Sequence, residues 1–270
     1  MSSGAMPHDA APPTADIDDI EKLAMVNLKP VVRTFIQTGY GRGLTVRENR
    51  KAFDRWHFLP KVLSGSSQRN TQTTLLGRVV SMPVGIAPTA AHCIVHPDAE
   101  LAVVRAAREA RAVMAVSVVH SASLEEMAAT AGPDAVLWAQ LDIRKDRSIT
   151  LEEALRAQRC GFAALVVTLD APLVGRKAAP GVTNPVTEAF GDIFLHLRGD
   201  TPGHEWDPCQ SWADIDWLRS KVDLPIVIKG ILRGCSDVGK LNPGYLRRRT
   251  AFIHEYTGVT PADFAGRLNL

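Results

Sequence analysis

Polar residues stand at or beside the ends of successive apolar segments in this chain: Thr89, Ser117, Gln140, Thr168 with Asp170, and Lys229. Lys229 closes the apolar run LPIVIK (224–229), where its charge is drawn toward a low-dielectric region. Such a charge costs free energy unless an anion or a ligand offsets it, so Lys229 is the strongest functional candidate. The hydroxyl residues have a simpler alternative role in capping the next helix, and Gln140 in satisfying backbone groups at the rim of a sheet.

The elements that must position these residues follow an alternating pattern. Apolar segments predict strands at 79–88, 113–118, 135–141, 164–170 and 224–229. Helical spacing predicts a helix at 99–112, and capping patterns predict helices that start at Ser123–Glu126, at Thr150–Glu153 (a helix that Gly161 ends) and at Ser211–Asp214. Strands that alternate with amphipathic helices indicate a parallel sheet covered by helices.

The strand ends distinguish the two folds that such a sheet permits. A doubly wound dinucleotide-binding sheet carries a G-x-G-x-x-G turn after its first strand, whereas the turn here reads Ala87-Pro-Thr-Ala90. In a (β/α) barrel the strand ends converge on one mouth, which fits the repeated polar residues. We therefore predict an α/β fold of the (β/α)8 TIM-barrel family, with about five of its eight βα units in the pattern. Five strands do not close such a ring, so a partial barrel is expected.

Composition excludes several classes of function. The 270 residues carry a formal net charge of +2 that is spread along the chain, and 46% of them are hydrophobic. This predicts one sizeable core and gives no general attraction to nucleic acid or to anionic membranes. No apolar stretch reaches the roughly 18 residues of a membrane span. The four cysteines lie far apart with no C-x-x-C pair, which argues for reduced thiols and against a zinc site, so no metal is predicted.

Several segments together carry a resemblance to a known family: IAPTAAHCIVHPDAE (86–100), TLDAPLVGRK (168–177), SWADIDWLRS (211–220) and LPIVIKGIL (224–232), with RENRKAFDRWHFLPKVL (47–63) upstream. In this order and spacing they resemble the FMN-dependent 2-hydroxy acid oxidases and dehydrogenases, which include glycolate oxidase. The IAPTxxHC and KGIL patterns are similar to those of the long-chain 2-hydroxy acid oxidases.

The resemblance implies that FMN is the cofactor. The loop Pro88-Thr89-Ala90 matches a loop whose backbone contacts the flavin, and the positions that hydrogen-bond the isoalloxazine ring match Ser117, Gln140 and Thr168. Lys229 matches a lysine beside flavin N1 and O2, where negative charge collects on reduction, and this would explain a cation at the strand end. Asp170 matches an aspartate that orients the catalytic histidine.

Further positions match substrate contacts of the family, namely Phe35, Asp142, Arg176 and Lys177. Phe35 and Asp142 each stand where the family has a tyrosine, and a carboxylate at 142 would repel an anionic substrate. Lys177 stands where an arginine clamps the substrate carboxylate, with Arg176 beside it. Lysine keeps the charge but loses the two-pronged geometry, so weaker binding is expected. Val119 stands where glycolate oxidases have a tryptophan.

Residues 231–270 depart from the family pattern. The family continues with an S-N-H-G segment that carries the catalytic histidine and with two Gly-rich turns for the FMN phosphate, and none of these motifs occurs in 231–270. The histidine that this stretch does contain, His254, is predicted to be a surface residue. Three hypotheses follow. The first is FMN-dependent oxidation of (S)-2-hydroxy acids to 2-oxo acids, with oxygen as acceptor and hydrogen peroxide as product. The second is a non-catalytic, C-terminally shortened chain that acts as a partner subunit. The third is an unrelated phosphate-binding barrel.

Three regions are expected along the chain: a disordered tail at 1–20, a partial-barrel FMN hydroxy acid dehydrogenase domain at 21–232 and a divergent tail at 233–270. The expected partners are a small 2-hydroxy acid and a second subunit, either a copy of this chain or a full-length relative. The resemblance implies a peroxisomal, intracellular protein. The last residues, Leu268-Asn269-Leu270, are not an S-K-L signal, however, so a cytoplasmic location is the alternative.

Overall fold

The computed structural model describes residues 16–39, 42–60, 62–63, 65, 68–170 and 205–230. These residues fall into two compact units. The small unit contains the described residues up to Gly65 together with 94–97, and the larger unit contains the other described residues.

The small unit is helical, with α1 (Ile17–Asn27), α2 (Pro30–Gln37), α3 (Leu44–Lys51) and a short 3-10 turn at Phe53–Arg55. α1 begins at Ile17 because the carboxylate of Asp16 accepts the N–H of Asp18 at 3.2 Å and caps the helix. Residues 17–20 are therefore helical, and the tail predicted for 1–20 was wrong over this stretch.

The larger unit opens with an antiparallel hairpin and continues as a parallel sheet. The hairpin joins β1 (Thr73–Leu75) to β2 (Arg78–Val80). The sheet has the order β3-β4-β5-β6-β7, every pair parallel. Its strands are β3 (Gly85–Ile86), β4 (Val113–Val116), β5 (Val136–Asp142), β6 (Ala164–Thr168) and β7 (Ile226–Lys229), with helices α4 (Ala99–Ala110), α5 (Leu124–Ala131), α6 (Arg147–Arg159) and α7 (Trp212–Arg219). Spatial order thus follows chain order, and the predicted parallel half-barrel is confirmed.

The first predicted strand, 79–88, was wrong as a single element. Its residues are divided between β2, which pairs with β1, and the two-residue strand β3, which pairs with β4. The interruption contains Pro83, which has no N–H to donate to a strand ladder. The segment therefore serves the hairpin first and the barrel sheet second.

Helix starts follow local capping chemistry. The predicted caps at Ser123 and Ser211 are confirmed, because Glu126 and Asp214 accept their backbone N–H groups at 2.9 and 2.7 Å. The predicted start at Thr150 was wrong. α6 begins at Arg147, since Asp146 lies earlier in the chain and accepts the Ser148 N–H at 2.9 Å.

The two faces of the sheet differ. Alternate residues face the helices and build the main core, among them Met114, Val116, Leu137, Ala139, Leu141, Leu165 and Val167, which pack with Val104, Met127, Ala154 and Leu218. The intervening residues face the other way, toward the concave side of the sheet. At the start of the strands this inner face is apolar, where Val113 and Val136 cluster with Val80 of the hairpin. Toward the strand ends it becomes polar, and this change places the candidate site.

Candidate functional site

Three side chains form a row across the carboxyl ends of β5, β6 and β7. Asp142 is the register partner of Thr168, and Thr168 is the register partner of Lys229. Register partners in a parallel sheet project to the same face, and residues two apart along a strand do so as well. Asp142, Thr168 and Lys229 therefore share the inner face with Gln140. Of these residues, the sequence pattern had indicated Gln140, Thr168 and Lys229 as neighbours at strand ends. We call these four residues the strand-end row.

Gln140 organises the middle of the strand-end row. Its Oε1 accepts the Val118 N–H at 2.9 Å, and its Nε2 donates to Thr168 Oγ1 and to Asp142 Oδ1, both at 3.1 Å. A backbone N–H only donates, so the Val118 contact fixes which way the amide points, and both amide hydrogens are engaged. The hydroxyl of Thr168 accepts from Gln140 and so keeps its own hydrogen for another acceptor. Gln140 and Thr168 are both buried.

Asp142 is a partly desolvated acid at the end of β5. Burial raises its pKa, an effect that the positive charges of Arg144 and Lys229 and the hydrogen bond from Gln140 reduce but do not cancel. The side chain therefore holds its proton to a higher pH than an exposed aspartate.

Lys229 is less buried than the sequence indicated. Its ammonium lies 3.6 Å from Asp170 Oδ1, and the two side chains are 39% and 40% exposed. β7 pairs with β6 on one side and has no second strand neighbour among the described residues, which leaves all its residues half-buried. Gly230 has φ +126°, and a Cβ there would lie 2.7 Å from the Cβ of Asp170. Glycine after Lys229 thus lets Asp170 approach the strand end.

The loops after β3 and β4 lie beside each other. Ala91 donates its N–H to the carbonyl of Val119 at 2.8 Å. Ser117 is buried, and its Oγ accepts the Val119 N–H at 3.1 Å, whereas the hydroxyl of exposed Thr89 donates to Ala87 within its own loop at 3.3 Å. The predicted flavin-loop residues Pro88, Thr89 and Ala90 thus belong to a loop that is tied to the segment carrying Ser117.

The remaining predicted residues are not brought to the strand-end row by these observations. Phe35 lies in α2 of the small unit and is half-buried. Arg176, Lys177 and His254 lie outside the described residues. Within the described ranges, no group of three His, Cys, Asp or Glu residues is arranged to hold a metal ion. The helices in those ranges lack the combined length and apolarity that crossing a bilayer takes.

Known proteins match this arrangement. A sequence model described as FMN-dependent dehydrogenase matches residues 24–238. The chain belongs to the FMN-dependent dehydrogenase family. Among its relatives in this family, 2-hydroxyacid oxidase 1 of Mus musculus is 36% identical over 235 residues, covering 81% of this chain and 63% of the relative. The L-lactate oxidase of a Nostoc strain is 34% identical, covering 80% of this chain and 64% of the relative.

Solved structures of FMN-dependent dehydrogenase relatives have the same fold. The crystal structure of mandelate oxidase superposes with a TM-score of 0.70 at 31% identity, covering 80% of this chain and 62% of that one. The flavin-binding domain of baker's yeast flavocytochrome b2 gives 0.67 at 30% identity, covering 80% and 53%. The chain thus spans a little over three fifths of the length of the curated relatives given above.

Two residues with structural importance escaped the sequence analysis. Glu100 is 1% exposed, although it is charged, and it shares the buried side of α4 with Val104 and Ala107. An acid at spacing i, i+4, i+7 with apolar residues was the available signal. Arg147 donates to Asp214 at 2.7 Å and 2.9 Å and to Asp207 at 2.5 Å, which joins the start of α6 to the first turn of α7 and to the segment before it. No sequence spacing indicates that link, because its partners are more than fifty residues away.

Proposed function

We propose that this chain takes part in FMN-dependent oxidation of (S)-2-hydroxy acids to 2-oxo acids, with oxygen as the acceptor and hydrogen peroxide as the product. Family membership and relatives named 2-hydroxyacid oxidase and L-lactate oxidase support it. The observation that carries the proposal is the strand-end row, in which a hydroxyl hydrogen, a half-exposed ammonium and a buried amide converge at one mouth.

The residues present fit the ring of FMN. The ammonium of Lys229 has one carboxylate at 3.6 Å and substantial exposure, so it is able to offset negative charge on a ring beside it. The hydroxyl of Thr168 is able to donate a hydrogen bond to the ring. The adjoining loops contain the Pro88–Ala90 backbone and Ser117. Gln140 donates both amide hydrogens to partners within the row, so its proposed role is to orient Thr168. When bound, FMN supplies acceptance of the two electrons that leave the substrate.

The substrate side of the proposal rests on Phe35, Asp142, Arg176 and Lys177. Phe35 and Asp142 would contact the substrate, while Arg176 and Lys177 would supply the positive charge. Asp170 would orient a histidine base. These roles remain predictions, because they follow from the resemblance and none is decided by a contact among the described residues.

Partner and location follow the same reasoning. A small 2-hydroxy acid is the proposed partner, and association with a second copy or a full-length relative stays a prediction. Relatives named peroxisomal (S)-2-hydroxyacid oxidases in Arabidopsis thaliana support an intracellular, peroxisomal setting, with cytoplasm as the alternative.

The proposal is tested by titrating the full chain with FMN and following flavin fluorescence. Lys229→Met is expected to weaken FMN affinity about tenfold, since a charge-assisted contact is lost. Lys221→Met, which removes an exposed lysine just after α7, is the matched control and leaves the affinity unchanged.

A second arm adds glycolate, lactate or a long-chain 2-hydroxy acid to the loaded chain without oxygen. Bleaching of the visible flavin absorbance supports oxidation. A chain that binds no FMN argues against the proposal and favours the non-catalytic partner role.

A further inference from the structure

The carboxylate of Glu100 joins the two loops that border the strand-end row. Its Oε1 accepts the His92 N–H at 3.1 Å, the Ser121 N–H at 3.0 Å and the Ser121 hydroxyl at 3.1 Å. Its Oε2 accepts the Ala122 N–H at 3.0 Å. His92 follows β3 and residues 121–122 follow β4, so one buried side chain in α4 binds both loops.

Ser121 extends this link. While its hydroxyl donates to Glu100, its Oγ accepts the Cys93 N–H at 3.1 Å. The N–H groups of two successive residues after β3 are therefore held by one carboxylate and its hydroxyl partner. Together with the bond from Ala91 to Val119, these contacts leave the two loops little freedom to move apart.

The charge state of Glu100 suits this arrangement. Burial alone would raise its pKa, but the N–H groups of Ser121, Ala122 and His92 outweigh burial, so the pKa is lowered. The ionised carboxylate is an acceptor only, and every contact it makes is with a donor. A glutamine would turn an amide group toward one of these donors and lose the match.

We propose that Glu100 is a positioning residue for FMN: it holds loop 87–92 and loop 117–122 in the one arrangement that presents the Pro88–Ala90 backbone and Ser117 to the ring. The inference deepens the proposed function and rests on it. Glu100 touches neither substrate nor cofactor in this assignment. It acts through the backbone of the two loops.

The test compares Glu100→Gln with Glu126→Gln in the full chain. Glu126 is the matched control because its Oε2 accepts the N–H and the hydroxyl of Ser123 in a helix cap, outside both loops. Hydrogen exchange of the cofactor-free chain is measured on peptides covering 87–94 and 117–122, with β5 as the internal reference. FMN affinity is measured by fluorescence on the same samples.

Glu100→Gln is expected to speed exchange in both loops about tenfold and to weaken FMN binding about tenfold, since hydrogen bonds to a charged acceptor are lost. Glu126→Gln is expected to change neither. If Glu100→Gln fails to fold, Ser121→Ala removes the bridging hydroxyl alone and is expected to shift both readouts in the same direction by about threefold.

The outcomes separate the two proposals. Unchanged exchange in the loops, or faster exchange with unchanged FMN affinity, overturns the role of Glu100. A wild-type chain that binds no FMN overturns the proposed function, and with it the cofactor part of this inference. The exchange measurement on the cofactor-free chain then still decides whether Glu100 holds the loops.

Discussion

The centre of the parallel sheet and β7, which is the edge strand among the described residues, hold their polar groups in different ways. At the centre, every residue of β6 is buried. The amide of Gln140, in the neighbouring strand β5, has a partner for each of its hydrogens. At β7 every residue is half-buried, and Lys229 meets Asp170 at 3.6 Å with both side chains about two fifths exposed. Desolvated hydrogen bonds at the centre have one satisfactory arrangement, whereas a solvated ion pair exchanges partners at little cost. The centre therefore supplies rigidly held hydrogen bonds. The edge strand supplies a charge that is able to contact a ligand.

The largest expected effect compares two register partners, Leu165 of β6 and Ile226 of β7. Leu165→Ala leaves a cavity at a fully buried position and is expected to lower the free energy of unfolding by about 3 kcal/mol. Ile226→Ala is expected to cost about 1 kcal/mol, because its side chain is only partly buried. Urea unfolding followed by circular dichroism measures both. Equal losses would remove the difference between centre and edge.

The next effect is a pH dependence at Glu153 of α6, the helix that packs on β5 at the centre of the sheet. Burial raises the pKa of Glu153 to about 7 from an ordinary value of 4.5, and the nearby carboxylates of Asp142 and Glu152 add to it, while Arg144 and Arg156 oppose it. The folded state then binds the proton more tightly than the unfolded state. The stability from this group is complete below about pH 4.5 and is lost as the pH rises through about 7.

Glu153→Gln removes that loss. The variant is expected to be more stable than the wild type by on the order of 2 kcal/mol at pH 8 and to be similar to it at pH 4.5. Glu109→Gln, at an exposed position near the end of α4, is the control and is expected to show no such difference between the two pH values. Thermal unfolding at the two pH values gives the measurement. A variant that gains equally at both pH values would assign the effect to packing instead of charge.

Much of the fold was readable from sequence because its signals are local. Unbroken apolar runs such as 113–116 and 164–167 become buried strands, and Ser123 with Glu126 fixes the start of α5 within four residues of chain. The strand-end row was readable for a related reason. Parallel strands put their carboxyl ends together whatever the details of packing, so Gln140, Thr168 and Lys229 converge by topology alone.

Contacts that join distant segments were not readable. The exposure of Lys229 depends on whether β7 has a neighbour, which its own sequence does not state. The donors to Glu100 lie eight residues before it and more than twenty after it. Thr150 lies in a capping sequence, but α6 already begins at Arg147 because Asp146 caps it. Thr150 is therefore inside α6, and its hydroxyl accepts the Arg144 N–H. Competition between nearby caps is decided by geometry.

A smaller effect tests the buried hydrogen bonds of Gln140 directly. Gln140→Leu keeps the side-chain volume but leaves the buried Val118 N–H without its acceptor, so the free energy of unfolding is expected to fall by about 2 kcal/mol or less. Gln158→Leu is the control, since Gln158 also bonds a backbone N–H and a carboxylate, both of Asp223, but at the surface. It is expected to cost less than about 1 kcal/mol. A control that costs as much as Gln140→Leu would show that burial of the amide adds nothing.

The smallest effect on stability is expected at the edge, where Asp170→Asn removes the carboxylate that faces Lys229. A pair this exposed contributes little, so the free energy of unfolding is expected to change by less than about 0.5 kcal/mol. FMN affinity is nevertheless expected to rise about two- to threefold at low salt and by less at high salt, because a negative charge leaves the neighbourhood of an anionic ligand. Asp216→Asn, in the exposed part of α7, is the control for general charge. If Asp170→Asn destabilises the chain by more than Gln140→Leu does, the Lys229–Asp170 pair stabilises the fold as the buried hydrogen bonds do. The proposal that Lys229 is available to a ligand is then wrong.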